Sequence, residues 1–226
     1  AIDIVNETPY GLTSGLFTLD NREIERWKNR ILAGNLYINR SITGAIVERQ
    51  PFGGTKDSSF GNGFKAGGPN YLFPFLDKTD KGGKNSHDAF FKGYFSKKHD
   101  PQQVLGQDNF LYYVPHNKVF TWGSKKDVAL ILDACRITST PVEVIEGDEE
   151  DIIKALPERA RVRLVHSPST HLTRELNRKA CIVTVGEVLP NGRVELLNYL
   201  REVTLSYDYH RYGNLGIREK GEKRCQ

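Results

Sequence analysis

The feature that most restricts the fold is a strand–helix–strand pattern near the start of the chain. Asp20 and Glu23 have the spacing of a capping box, with Asp in place of Ser or Thr, and predict a helix start. Gly34 has the place of a residue just past the helix end. The predicted apolar face of the helix is Ile24, Trp27, Ile31 and Leu32. Residues 16–18 and 35–39 are predicted strands, and two strands joined by a helix form a βαβ unit with a parallel sheet.

A second α/β rhythm begins near residue 108. The predicted strands are 110–114, 142–145, 162–165 and 181–185. The predicted helices are 127–138, 149–156, 169–178 and a final amphipathic helix at 194–203. Ser124 is interpreted as a helix N-cap rather than part of a phosphate loop, since Gly123–Lys126 lacks the Walker spacing. The pattern predicts a small doubly wound domain, and no GxGxxG motif indicates a nucleotide site in it.

Between these regions lies a glycine-rich segment, residues 40–70. Seven glycines fall between Gly44 and Gly68, a composition typical of a loop. Aromatic residues are interspersed: Phe52, Phe60 and Phe64. A long loop that keeps aromatic side chains is predicted to be ordered and functional.

The predicted division of the chain has four parts. Residues 1–76 form the first domain, 77–107 a linker, 108–206 the second domain, and 207–226 a terminal motif and tail. The apolar stretch 71–76, interrupted by Pro74, is interpreted as an edge strand or flap, with an internal strand as the alternative.

The ordered string Gly34 to Gly54, ending in Pro-Phe-Gly-Gly, resembles the aldehyde dehydrogenase superfamily, as does Asn6-x-x-Pro9-Tyr10-Gly11-Leu12. Three further motifs resemble pyrroline-5-carboxylate (glutamate semialdehyde) dehydrogenases: Thr43-Gly44-Ala45, Arg49-Gln50-Pro51 and Lys65-Ala66-Gly67-Gly68-Pro69-Asn70-Tyr71. The resemblance covers residues 1–76 and implies that they are the C-terminal piece of the catalytic domain. The predicted fold is therefore α/β, with this piece followed by a small Rossmann-like, doubly wound domain. One departure is Ser59, where the family usually has Gly, and it puts the local turn in doubt.

The resemblance implies that Gly44 and Ala45 bind the carboxylate of glutamate semialdehyde and that Phe52 forms an apolar wall. Backbone N–H groups in a glycine-containing turn make an anion-binding concavity, which agrees with this role. The alternatives are an ordinary turn for Gly44 and Ala45 and core packing for Phe52. For Arg49, a solvated or ion-paired surface arginine is preferred over a carboxylate partner.

In this family a cysteine thiolate attacks the aldehyde, and hydride passes to a nicotinamide. The resemblance places the nucleophile, the general base and the NAD-binding domain upstream of the region present here. No catalytic residue and no metal site are assigned within the chain. Cys135 and Cys181 lie in apolar patterns and are interpreted as buried hydrophobes, and the chain alone is expected to be inactive.

Residues 191–202 and 209–215 resemble the end of bifunctional proline-utilisation proteins, which join a flavin-dependent proline dehydrogenase to the aldehyde dehydrogenase. FAD is therefore implied if that half is present. The resemblance implies that the second domain binds no nucleotide and that residues 207–215 help close the passage between active sites. His210 and Tyr212 are interpreted as a packed tail rather than an acid/base pair.

The absence of Met and the helix-like first residues favour an internal position for residue 1, with a processed mature protein as the alternative. A net charge of +4 gives no support for nucleic-acid binding, and no apolar run has membrane-helix length. The expected partners are glutamate semialdehyde, the remainder of the same enzyme and further copies in a homo-oligomer. Cysteine usage suggests the cytoplasm.

The preferred function is therefore part of an NAD-dependent glutamate-semialdehyde dehydrogenase in proline catabolism. A non-catalytic assembly module derived from the same fold is the alternative, and an aldehyde dehydrogenase for another substrate class is a third hypothesis.

Overall fold

A computed structural model describes residues 1–76, 84–211 and 214–215 of the 226-residue chain. Its α-helices are α1 (Ile2–Glu7), α2 (Asn21–Arg30), α3 (His87–Phe90), α4 (Ala129–Thr138), α5 (Glu149–Ala155), α6 (Thr170–Arg178) and α7 (Gly192–Glu195). A π-helical turn, Phe91–Phe95, follows α3, and two 3-10 turns span Phe73–Phe75 and Leu196–Asn198.

The strands are β1 (Tyr10–Gly11), β2 (Thr13–Leu16), β3 (Asn35–Ile38), β4 (Thr55–Lys56), β5 (Gln107–Pro115), β6 (Val119–Trp122), β7 (Val142–Ile145), β8 (Arg161–Leu164), β9 (Ile182–Val185), β10 (Leu200–Asp208), β11 (His210–Arg211) and β12 (Asn214–Leu215). They form two four-stranded and two two-stranded sheets among the described residues. The mixed α/β fold class with parallel sheets confirms the sequence-based prediction.

The chain divides into two compact units. The first unit contains residues 1–76, 97–113 and the described residues from 202 onward; the second contains residues 84–96 and 114–201. The first unit is thus discontinuous in sequence, because the chain returns to it in β10. Residues 87–95, within the predicted linker, are helical.

The first unit is built around a sheet of order β2-β3-β10-β5. Strands β2 and β3 are parallel, with Thr13 opposite Asn35, so the predicted βαβ unit is confirmed. Strand β10 lies parallel on the other side of β3, with Thr204 opposite Asn35. All four residues of β3 are buried, and the strand lies in the interior of the sheet, with β2 on one side and β10 on the other. Ile24 and Trp27 of α2 are buried as the predicted apolar face requires.

The ends of α2 differ from the prediction. Asp20 is the N-cap, and its side chain accepts a hydrogen bond from the Arg22 N–H at 2.8 Å. The Glu23 carboxylate does not close a capping box, because it accepts a hydrogen bond from the Thr18 hydroxyl instead. The helix ends at Arg30, so Gly34 is not its terminating residue. The preceding strand spans 13–16 rather than 16–18 because its register is set by pairing with β3.

Two further predictions of secondary structure are wrong. Residues 71–76 form turns and a 3-10 helix, so neither an edge strand nor an internal strand is present there, while their interpretation as a flap stays a prediction. Pro74 stands at the start of that helix, where its fixed φ is favourable and its missing N–H costs nothing. Residues 194–203 are not one helix: α7 ends at Glu195 and β10 begins at Leu200. Pairing with β3 and β5 decides this, since tertiary contacts override helical periodicity.

The second unit has a parallel sheet of order β7-β6-β8-β9, joined through α4, α5 and α6, in agreement with the doubly wound prediction. Its strand β6 was not predicted, and the predicted strand 110–114 is part of β5, which belongs to the sheet of the first unit. The apolar core of the second unit includes Ile152, Leu156, Val162, Leu164, Leu172 and Leu176. Ser124 does not cap α4 directly. Its hydroxyl accepts a hydrogen bond from the Asp127 N–H at 3.3 Å, in a turn that precedes the helix start at Ala129.

His116 is expected to make the stability of the second unit depend on pH. Its Nε2 atom is inaccessible to solvent and makes no hydrogen bond within the described part of the chain. Burial, followed by the charges of Arg161 and Arg201, lowers the pKa of His116 well below its usual value of 6.5. Below about pH 6.5 the unfolded chain therefore takes up a proton that the folded chain does not. We expect the free energy of unfolding to fall as the pH falls below 6.5, in the window down to the depressed folded pKa.

Urea denaturation at pH 5.5 and pH 7.5 measures this effect. His116→Asn should reduce the difference in unfolding free energy between the two pH values. His171→Asn removes an exposed imidazole on α6 that lies 3.1 Å from the Glu150 carboxylate; it is the control for a solvated histidine and should change the difference less than His116→Asn does. An unchanged pH dependence in His116→Asn would show that another group is responsible.

Candidate functional site

The glycine-rich segment 40–70 is ordered and folds back on itself. Phe52 and Ala66 form an antiparallel bridge in which each N–H donates to the other's carbonyl oxygen at 2.9 Å. Strand β4, within the segment, pairs with β1. The predicted ordered loop is therefore present. Residues 52–56 and 65–66, which we call the stem, are attached to the first unit by backbone pairing.

Gly44 and Ala45 lie exposed near the middle of residues 40–50, which we call the anchor loop. Gly44 has φ +78°, a conformation that favours glycine, and a Cβ built there would meet no atom within 4 Å. Glycine is thus needed for the backbone conformation rather than for close packing. Neither N–H donates a hydrogen bond to the described residues. Both donors are available to a ligand.

A tight turn follows the anchor residues. The Ile46 N–H donates to Gln50 Oε1 at 2.9 Å, and the Gln50 N–H donates to the Ile46 carbonyl at 2.7 Å. The Glu48 N–H donates to the Gly67 carbonyl at 3.3 Å. Arg49 lies in this turn, half-buried, and forms no ion pair with the residues that the structure describes. The turn fixes the chain direction immediately after Ala45.

Phe52 begins the stem, two residues after Gln50, and its side chain is half-buried. It is therefore available both to packing and to a ligand. Phe60, in contrast, is 99% exposed. The assignments of Gly44, Ala45 and Phe52 to substrate stay predictions.

The buried side chain of Lys65 connects the stem to the start of β3. Lys65 is fully buried, and its ammonium group donates to the Gly34 carbonyl at 2.8 Å, to Asn35 Oδ1 at 3.2 Å and to the Gly53 carbonyl. Sequence reasoning placed Lys65 in a family motif but assigned it no structural role, since lysine is rarely buried. Its hydrogen bonds join the stem to β3.

Gly34 has a different role from the one predicted. A Cβ atom at Gly34 would lie 2.1 Å from the Gly53 carbonyl oxygen. The glycine therefore allows the Gly53-Gly54 backbone to lie directly against the start of β3.

Ser59, the departure from the family pattern, causes no local strain. Its N–H donates to the Lys56 carbonyl at 3.1 Å, and the left-handed residue of the turn is Lys56, with φ 54°. The Lys56 ammonium group donates to the carbonyls of Asn6 at 2.6 Å and Thr8 at 2.9 Å. The doubt about this turn is thereby removed.

Two of the three cysteines can be assessed for reactivity. Burial, and then the nearby Glu195 carboxylate, raises the pKa of Cys135 to about 12. Burial also raises the pKa of Cys181. Since the thiolate is the nucleophilic form, neither side chain is activated near neutral pH. Cys225 lies outside the described residues.

Two other kinds of site are absent from the part of the chain that the structure describes. No group of three or more His, Cys, Asp or Glu side chains there could hold a metal ion. No helix there has the length and apolar character needed to cross a membrane.

A cavity of about 490 Å³ lies in the second unit near the carboxyl ends of β6, β7 and β8. Doubly wound sheets commonly bind ligands at this edge. Here Glu146 and Glu149 line the cavity, and two carboxylates disfavour a phosphate group. That this domain binds no nucleotide stays a prediction.

The terminal motif is only partly described. The His210 ring lies with Nδ1 3.0 Å from the Gly106 carbonyl, and Tyr207 and Tyr209 make an edge-to-face contact with ring centroids 6.3 Å apart. These contacts are consistent with a packed tail. Tyr212 lies outside the described residues, so the predicted role of 207–215 stays a prediction.

A known protein family matches the N-terminal part of the chain. Residues 1–79 match the family model described as the aldehyde dehydrogenase family. This part of the chain is therefore similar to a segment of an aldehyde dehydrogenase family domain. The family resemblance proposed from sequence is therefore confirmed.

Two similar proteins indicate which members of this family the chain resembles. The chain is 51% identical over 72 residues to 1-pyrroline-5-carboxylate dehydrogenase 2 of Bacillus subtilis, which covers 32% of this chain and 14% of that protein. It is 58% identical over 71 residues to the bifunctional protein PutA of Rhizobium meliloti, covering 31% of this chain and 6% of that one. The chain thus spans a small part of the curated relatives that it matches.

A solved structure resembles nearly the whole chain. Proline Utilization A (PutA) from Corynebacterium freiburgense matches with a TM-score of 0.81 and 32% identity, over 95% of this chain and 24% of that one. The likeness extends beyond the family segment to the second α/β rhythm, as the resemblance to bifunctional proline-utilisation proteins led us to expect.

Proposed function

We propose that the chain acts as part of an NAD-dependent L-glutamate γ-semialdehyde (pyrroline-5-carboxylate) dehydrogenase of proline catabolism. Its task is to bind the substrate carboxylate and to support assembly, while the nucleophile is supplied elsewhere in the protein. The observation that carries this proposal is the pair of free N–H donors at Gly44 and Ala45, exposed on a loop whose stem is fixed by Lys65. The names of the similar proteins support the substrate class.

The proposed mechanism begins with capture of the carboxylate. The two N–H groups can donate to its oxygens without first breaking a hydrogen bond to another protein group. Phe52 provides an apolar surface beside the aliphatic part of the substrate. Holding the carboxylate and the aliphatic part of a short molecule orients its aldehyde for attack and lowers the entropic cost of reaction.

NAD, when bound, would supply the hydride acceptor. The described residues contain no glycine-rich dinucleotide loop, and we place the NAD site mainly outside this chain. FAD belongs to the proposal only if a proline dehydrogenase half is present. The similar protein PutA of Rhizobium meliloti is named as a bifunctional protein. We further propose a homo-oligomer and a cytoplasmic protein. The free thiols of Cys135 and Cys181 are consistent with a reducing compartment.

Gly44→Val in the full-length protein tests the anchoring role. A β-branched residue is strained at φ +78°, so the two donors should be misdirected. We expect KM for glutamate semialdehyde to rise roughly ten- to a hundredfold, which corresponds to about 1.5–3 kcal/mol for hydrogen bonds to a charged group. The kcat/KM for propanal, which has no carboxylate, should change less than about twofold.

Gly61→Val is the matched control. Gly61 has φ +59° and, like Gly44, open space around its Cβ position, but it lies outside the anchor loop. It should leave both substrates unaffected. Equal losses on both aldehydes in Gly44→Val would contradict anchoring. Wild-type enzyme without preference for the carboxylated aldehyde would favour another substrate class, and a full-length protein without any turnover would favour the assembly module.

A further inference from the structure

We propose that a buried cluster of Gln50, Asn109 and Ser206 holds the anchor loop in its carboxylate-binding conformation and so determines the preference for carboxylated aldehydes. This inference rests on the proposed function. These side chains are positioning residues, since they act through the loop. We call the three residues the loop clamp.

Gln50 connects the clamp to the anchor residues. Its side chain is 3% exposed, and Oε1 accepts a hydrogen bond from the N–H of Ile46 at 2.9 Å. Ile46 directly follows Ala45. The orientation of the Gln50 amide therefore fixes the peptide next to the two free N–H donors.

The other end of the Gln50 side chain reaches two strands that are distant in sequence. Nε2 donates to Asn109 Oδ1 at 2.7 Å and to Ser206 Oγ at 3.2 Å. Asn109 lies on β5, and Ser206 lies on β10, 156 residues after Gln50. The Ser206 hydroxyl in turn donates to Asn109 Oδ1 at 2.9 Å. Asn109 is 2% exposed and Ser206 is 1% exposed, so water cannot readily replace these bonds.

Ser206 also holds the start of the anchor loop. Arg40 Nη1 donates to Ser206 Oγ at 2.8 Å, and the Asp208 carboxylate lies 3.9 Å from the same nitrogen. Arg40 and Gln50 are the two ends of the anchor loop, and both bind one hydroxyl group of β10. Gly44 and Ala45 lie between them. The Ser206 side chain of β10 thus holds the two ends of the anchor loop together.

This arrangement assigns β10 a role in substrate preference. A loop held at both ends loses little entropy when a ligand binds its middle, so the donors are preorganised for a carboxylate. An aldehyde without a carboxylate makes no use of those donors. Loosening the clamp should therefore weaken binding of the carboxylated substrate and leave the other aldehyde unaffected.

Ser206→Ala in the full-length enzyme is the direct test. We expect KM for glutamate semialdehyde to rise about three- to tenfold, the range for losing a buried hydrogen bond, with kcat changed less than about twofold. The kcat/KM for propanal should stay within about twofold of wild type, which also reports that the protein is folded. Gln50→Ala should have a similar effect, and the Gln50→Ala/Ser206→Ala double variant should add little to the larger single effect, because both act through one clamp.

Thr140→Val is the control variant. Thr140 is 4% exposed, and its hydroxyl donates to the Tyr199 carbonyl at 2.9 Å, in the second unit. It loses a buried hydroxyl without touching the loop clamp, and its KM values should equal those of wild type.

The outcomes separate the two proposals. Equal losses on both aldehydes, an unchanged KM in Ser206→Ala, or fully additive effects of the two single variants would overturn the loop clamp. If wild-type enzyme fails to prefer the carboxylated aldehyde, or if Gly44→Val affects both aldehydes equally, the proposed function itself fails. A KM increase confined to glutamate semialdehyde supports both.

Discussion

Arg163→Met is expected to destabilise the second unit by about 3–5 kcal/mol, the usual cost of removing one partner of a buried ion pair. Arg163 and Glu195 are 3% and 1% exposed, and Arg163 Nε lies 3.0 Å from Glu195 Oε1. The guanidinium group also donates to the carbonyls of Leu164 and Gly186, each at 2.7 Å. The substitution leaves a carboxylate buried without its cation.

Urea denaturation followed by tryptophan fluorescence can measure the loss. The chain has two tryptophans, and Trp122 lies in the second unit. Arg178→Met is the control, because Arg178 pairs with Glu175 at 2.9 Å but is 69% exposed. Its effect should be below about 1 kcal/mol.

A compensating variant sharpens the test of the ion pair. Arg163→Met/Glu195→Leu should recover much of the lost stability, since an apolar pair can replace a buried ion pair at little cost. If Arg163→Met costs no more than Arg178→Met, the buried pair is not what stabilises this region.

Lys65→Met is expected to destabilise the first unit by about 2–4 kcal/mol. Each hydrogen bond from a buried charged donor contributes about 1.5–3 kcal/mol, and the expected loss is smaller than the sum of the three bonds because their acceptors keep other contacts. The methionine preserves the apolar length of the side chain. It removes the donor that joins the Gly53 carbonyl to β3 through Gly34 and Asn35. Trp27, in the first unit, reports the unfolding.

Lys97→Met, at an exposed lysine of the same unit, is the matched control and should change stability by less than about 0.5 kcal/mol. Lys65→Met should also weaken carboxylate binding in the full-length enzyme, because the stem below the anchor loop loses its attachment to the sheet. Unchanged stability in Lys65→Met would show that the stem is held by its backbone bridge alone.

Much of the second unit could be predicted from sequence. Strand β7 was predicted with its observed bounds, and β8, α5 and α6 within one residue at each end. These elements are short, buried on regular faces and separated by clear turns, so local pattern and tertiary structure agree. The final helix at 194–203 was wrong because its apolar residues fit helical periodicity, while the actual strand is central and buried on both faces.

For the candidate site, the sequence identified the loop but not the residues that hold it in place. Gly44, Ala45 and Phe52 were named through family resemblance, and the structure describes how their loop is held without testing their role. Gln50 was noted only as part of a motif, and Ser206 was not noted at all. No local signal marks a serine in an apolar segment as the partner of a glutamine 156 residues away.

The sequence by itself determined the α/β class, the βαβ unit and the family of the first third, because periodicity and ordered motifs are local properties. Only the tertiary structure decided that β10 returns to lie between β3 and β5 in the first unit. That return brings Ser206 to both ends of the anchor loop and sets Glu202 against the stem, where it accepts a hydrogen bond from the Lys65 N–H at 2.7 Å. Strand pairing over such separations depends on which edges are free in the folded chain, and sequence periodicity carries no record of that.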